Sequence, residues 1–256
     1  MLLKGWITAI ALPWLICMNS HLMAQGKDTT DSNIQKKLDP TDFRSRLEFR
    51  NETQRTQVDG SRMLLIPRLD YAVSKELAVR LEVPFVSETS NGAGGRSGIG
   101  DILVRGAYRA YRGEGMAWVV GGEVTLDTGQ DGVGSGTNIL TGFTFVSLDQ
   151  PQWKSVLFPY FQYSTNVGGG PQISQSLWRV SALTRWPERF YSFVESTMYV
   201  DHEHGARVAG TLEIEVGRFV SSDVALWIRP GVGIHRHALP QIYDWNLEVG
   251  FRYFIN

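Results

Sequence analysis

Four of the five histidines fall in two close pairs, His202 with His204 in DHEHG and His235 with His237 in IHRH. Imidazoles two residues apart on extended chain point the same way and could share a Zn or Cu ion. No cysteine or pattern of orienting carboxylates accompanies them. The reading adopted is therefore polar loop residues, with no metal. A second chemistry would pair Ser135 with His202 or His235 as nucleophile and base. That needs hydrogen-bond reach and a third group to orient the base, and the spacing does not demand it. Gly92-x-Gly94-Gly95 and Gly132-x-Gly134-x-Gly136 lack the following helix a phosphate cradle requires, so they read as flexible loops.

A larger constellation is a set of charges recurring at every second residue. It comprises Arg44, Arg46, Glu48 and Arg50, then Arg68 with Asp70, Arg80 with Glu82, Asp101 with Arg105 and Arg109, and Glu123. On extended chain such residues share one face, and opposite charges on neighbouring strands can pair. An inward ladder of this kind would bind or conduct polar solutes, or would fill a narrow interior as paired charge.

The elements that must position these charges are strands. From Asp42 onward the dominant period is two, in segments of roughly ten residues that end at Gly, Pro, Asp, Asn or Ser. In the last segment Tyr243, Trp245, Leu247, Val249, Phe251, Tyr253 and Ile255 alternate with Asp244, Asn246, Glu248, Gly250, Arg252 and Phe254. The segments 43–51, 62–72, 77–86, 101–111, 116–126, 138–147, 153–165, 174–186, 190–200, 208–216, 224–234 and 243–255 make about twelve strands, an even number as bacterial single-chain barrels have. Their connections alternate between short turns, such as 74–76 and 112–115, and longer polar stretches at 52–61, 87–100, 127–137, 166–173, 201–206 and 236–242. With both termini periplasmic, every short turn lies inside and every long loop outside. Aromatic girdles are then expected from Tyr71, Tyr108, Trp153, Trp186 and Tyr253 at one rim and Phe85, Tyr243 and Trp245 at the other.

The fold class predicted is thus an all-β transmembrane barrel. In hydrocarbon every backbone N–H and C=O must pair within the protein, and a closed sheet leaves no edge. Residues 1–24 read as a cleavable signal peptide: a short positive start, an apolar run from Trp6 to Cys17 broken by Pro13, and Leu22-Met23-Ala24 at the end. Residues 25–41 read as a flexible periplasmic arm, and 42–256 as the barrel. Loss of the leader removes Cys17, the only cysteine, so closure takes the place of disulfides. A net charge of −1 without basic runs excludes nucleic acid as a partner.

Two stretches resemble a family of Gram-negative outer-membrane proteins named for the MetA (meta-cleavage) pathway of phenol degradation. One is Gly98-Ile99-Gly100-Asp101-Ile102 followed by Arg105-Gly106-Ala107-Tyr108. The other is Leu47-Glu48-Phe49-Arg50-Asn51-Glu52, similar to the family's opening strand. The resemblance implies an outer-membrane transporter passing small, often hydrophobic or aromatic molecules. Glu248-x-Gly250-x-x-Tyr253-x-Ile255 is similar to the strand signal read by the barrel-assembly machinery, although Asn256 follows where many such chains stop at Phe. The expectation is a passive channel, without cofactor or covalent chemistry, whose partners are outer-membrane lipids, the assembly machinery and a small solute. The alternatives are a lipid-modifying hydrolase and an anchoring barrel that moves nothing.

Overall fold

The computed structural model describes residues 36–56, 60–90, 93–235, 239 and 242–255. Fourteen strand segments follow one another along the described chain: β1 (Arg46–Thr56), β2 (Gly60–Ala72), β3 (Leu77–Glu82), β4 (Phe85–Ser90), β5 (Ala93–Ile99), β6 (Ile102–Gly113) and β7 (Met116–Leu126). The second half holds β8 (Asn138–Gln150), β9 (Ser155–Val167), β10 (Ser174–Arg185), β11 (Phe190–Asp201), β12 (Arg207–Phe219), β13 (Val224–His235) and β14 (Tyr243–Phe254). Each pairs antiparallel with its neighbours. The sheet closes where β1 meets β14, in register from Arg46 opposite Phe254 to Thr56 opposite Tyr243.

Fourteen segments make twelve spans of wall. Pro84 has no N–H to give the ladder, so the third span breaks into β3 and β4. The fourth breaks beside it at Gly100 and Asp101, where Gly100 N–H donates to Pro84 O at 2.8 Å. A Cβ on Gly100 would sit 3.1 Å from both Pro84 Cγ and Val86 Cγ2; glycine permits the approach. The stretch 87–100, expected as a loop, is instead the hairpin of β4 and β5.

The period-two pattern sorts the two faces. Trp245, Leu247, Val249, Phe251 and Tyr253 are exposed outward, as are Leu226, Ile228, Val104, Leu81 and Val79, forming the apolar belt that hydrocarbon requires. Tyr71, Tyr108, Trp186, Phe85 and Trp245 are exposed on the same side. Tyr243 corrects the expected girdle. The β1–β14 register shifts beside it, turning its ring inward, where it is 5 % exposed and its hydroxyl donates to Glu213.

A further correction concerns the arm. Residues 36–41, expected to be flexible, lie docked against the barrel wall. Lys36–Leu38 form a single 3-10 turn, and Leu38 joins an interior cluster with Val156, Phe158, Leu183, Tyr191, Phe219, Trp227 and Phe254. The cluster residues sit on the faces opposite the lipid belt. That part of the wall is an apolar seat for the arm.

Candidate functional site

The strand registers assemble the charges into rungs around the interior. Directly opposite one another lie Arg46 and Asp70, Asp70 and Arg80, Arg80 and Arg105, and Arg105 and Glu123. One step along, Arg252 faces Glu48, Glu48 faces Arg68, and Arg68 faces Glu82. Side chains opposite across a ladder approach within reach, and the ion pairs follow. Arg46 Nε lies 2.7 Å from Asp70 Oδ2 and Arg80 Nε 2.5 Å from Asp70 Oδ1. Arg68 contacts Glu82 at 2.7 Å and Glu48 at 3.0 Å. The juxtaposed like charges Arg80 and Arg105 are held by carboxylates on both flanks, since Arg105 also reaches Glu123 at 2.5 Å.

Arg109 is buried and donates to Thr41 O at 2.8 Å, holding the arm. Arg44 precedes β1, is partly exposed and pairs with Asp42 at 2.7 Å. Asp101 stands apart from the rungs. Its carboxylate accepts from the N–H groups of Gly129 at 2.8 Å and Ser135 at 2.6 Å, fastening the segment 127–137.

Several interior groups have no place in the charge pattern of the first half of the chain. Arg229 bridges Glu195 at 3.0 Å and Glu213 at 2.7 Å, Arg252 joins Glu48 to Glu215, and Arg179 touches Glu195 at 3.3 Å. Aromatic rings lie among them. Arg105 stacks over Phe143 at 4.8 Å, Arg179 over Tyr160 at 4.5 Å and Arg252 over Trp227 at 4.8 Å. Such stacking fixes the guanidinium plane. The signal for these residues was alternation itself: Arg179 is out of phase with Trp178 and Val180, and Arg252 with Phe251 and Tyr253.

Within this set lies a cavity of about 190 Å³, lined by seven arginines and two glutamates together with Phe145, Phe158, Tyr160 and Phe193. Leu38 and Pro40 of the arm are part of its lining. Beside it a space of about 100 Å³ is shared between the arm and Arg46, Arg80 and Arg105. The arm's own carboxyl, Asp39, is pushed above the ordinary carboxylate range, chiefly by burial and further by Asp149 and Asp42, while hydrogen bonds from Thr41 oppose the shift.

His202 and His204 do not converge. His202 Nε2 lies 3.0 Å from Ser176 Oγ and His204 Nδ1 2.8 Å from Asp201 Oδ2. Residues 202–205 form a turn rather than extended chain, which removes the premise for a shared ligand direction. His237 and the side chain of His235 lie outside the described residues. Among the described residues no three His, Cys, Asp or Glu groups are placed to hold a metal ion. Ser135 Oγ donates to Thr137 O at 2.8 Å, so its proton is directed to backbone and not to His202.

A closed antiparallel sheet with an apolar outer belt and a charged interior defines a transmembrane β-barrel of the outer-membrane type. Residues 51–177 match the family model described as "Putative MetA-pathway of phenol degradation". No curated protein matches the chain in sequence. Among solved structures, an outer membrane channel from Pseudomonas putida F1 is similar with a TM-score of 0.67 at 13% identity, covering 85% of this chain and 100% of the other. The NanC porin is similar with a TM-score of 0.61 at 10% identity, over 82% of this chain and 100% of its own. The KdgM porin, in complex with disordered oligogalacturonate, is similar with a TM-score of 0.59 at 11% identity, over 82% and 99%. At these identities the likeness concerns the fold.

Proposed function

We propose that the protein is a passive outer-membrane channel for uptake of small molecules, hydrophobic or aromatic ones among them. The observation that carries this reading is the interior cavity of about 190 Å³, walled by both arginines and aromatic rings. A barrel that served only as an anchor needs no such space. Support comes also from the family match and from the channel and porins of similar fold. Uptake of this kind uses no cofactor and no covalent step. Insertion would proceed through the barrel-assembly machinery acting on β14, with outer-membrane lipid around the belt. The test is a planar-bilayer recording of the refolded protein, with and without aromatic solutes. Solute-dependent conductance is expected; a barrel that stays closed and insensitive to all of them would favour an anchor or a lipid-modifying enzyme.

A further inference from the structure

We infer that the interior cavity is a binding site for a single-ring aromatic carboxylate, an inference that rests on the uptake reading and narrows its substrate class. The size fits, because a cavity of roughly 150 Å³ is enough to hold benzene and this one is about 190 Å³. The ring side is supplied by Phe145, Phe158, Tyr160 and Phe193. Phe158 and Phe193 are stacked with centroids 5.9 Å apart, a flat apolar wall against which a further ring can lie offset.

The carboxylate side is supplied by guanidinium groups with unused donors. The acids of the rungs contact their arginines across the strands, so Asp70, Glu48 and Glu82 are already engaged with Arg46, Arg80 and Arg68. Arg179 is different. Its only carboxylate contacts among the described residues, to Glu195, are long at 3.3 and 3.5 Å, and its Nε is buried there without a hydrogen-bond partner. Arg229, which contacts the same Glu195, also has its Nε buried without a partner. A buried donor left unmade is costly, and a planar carboxylate is the group whose two oxygens match a guanidinium fork. Stacking of Arg179 on Tyr160 at 4.5 Å places fork and ring side by side. Neutral aromatics would satisfy the ring wall alone, and small aliphatic acids the fork alone.

The experiment is calorimetric titration of the refolded full chain in detergent with benzoate, phenol and acetate. Benzoate is expected to saturate one site and to bind at least tenfold more tightly than either phenol or acetate. Arg179→Gln should weaken benzoate at least tenfold while leaving phenol unchanged, and Tyr160→Leu should weaken benzoate and phenol alike, with Tyr160→Phe near the parent. Cooperative thermal unfolding checks that each variant is folded. If Arg179→Gln does not fold, Arg179→Lys decides, since it keeps the charge but loses the fork and should still bind benzoate several-fold more weakly. Phenol binding as tightly as benzoate, or Arg179 variants binding benzoate like the parent, would overturn the site. A barrel that conducts without preferring benzoate sinks this inference and leaves the channel. One that binds benzoate yet never conducts sinks the uptake reading and leaves the site.

Discussion

Lys37 Nζ lies 2.7 Å from Asp223 Oδ1, a pair separated by 186 residues that ties the arm to the turn between β12 and β13. Both groups are partly shielded, so the contact is worth about 1 kcal/mol. Asp223→Asn is therefore expected to shift the arm about fivefold toward release. Single-channel open probability, compared with the parent at the same voltage, measures it, and an unchanged value would mean that the arm does not gate.

Leu38 is the arm's apolar anchor, 6 % exposed among Phe158, Tyr191, Trp227 and Phe254. Truncation of a buried leucine costs about 2–5 kcal/mol. Leu38→Ala should undock the arm and admit protease added from the periplasmic side at residues 36–41, with the barrel itself still resisting. Protection equal to the parent's would place the holding energy elsewhere.

Asp39 makes docking depend on pH. Its carboxyl is raised above its ordinary value in the docked arm, first by burial, so the docked state holds the proton more tightly than the free arm. The sign follows from linkage: the contribution is complete below the ordinary carboxylate value and is lost as pH rises through the raised one. Conductance should be lower near about pH 4 than near about pH 7. Asp39→Asn keeps an acceptor for Thr41 and should flatten that profile.

The register of β6 is open to a paired test. Val104 faces lipid, and an arginine in the bilayer midplane costs about 2–4 kcal/mol, so Val104→Arg should impair insertion into vesicles. Arg105→Gln combined with Glu123→Gln removes both members of an interior pair and should insert normally while changing ion selectivity. Normal insertion of Val104→Arg would show that the strand is displaced by one residue.

Asp101 fastens the segment 127–137 through two backbone N–H groups. Charge-assisted bonds of this kind contribute about 1.5–3 kcal/mol. Asp101→Ala should make intact cells more sensitive to external protease at 127–137. Cleavage confined to the turn at 112–115 would invert the topology.

Alternation in the sequence was sufficient for the wall. Trp245, Leu247 and Val249 face outward as their spacing implies, and the opposing phase carries Glu48, Arg68 and Arg105 inward, because a pleated strand permits no other arrangement. Three things were not legible. Tyr243 turns inward at a register shift, which no local pattern announces. The hairpin of β4 and β5 lies in a stretch whose glycines and serines have the composition of a loop; pairing with β2 and between the two strands overrides it. Phe158, Tyr191, Trp227 and Phe254 stand in the polar phase of their strands, and their seat for Leu38 becomes visible only when six strands are brought around one point.

That seat has a consequence for the order of assembly. The residues receiving Leu38 come from β9, β10, β11, β12, β13 and β14, all distant in sequence from the arm, and Phe254 lies directly across the closing seam from Arg46. The first described residues of the chain can complete their contacts only after the last strand has found the first. A seated arm is therefore a certificate of finished closure, and a barrel stalled one strand short would keep its N-terminal tether free on the periplasmic side.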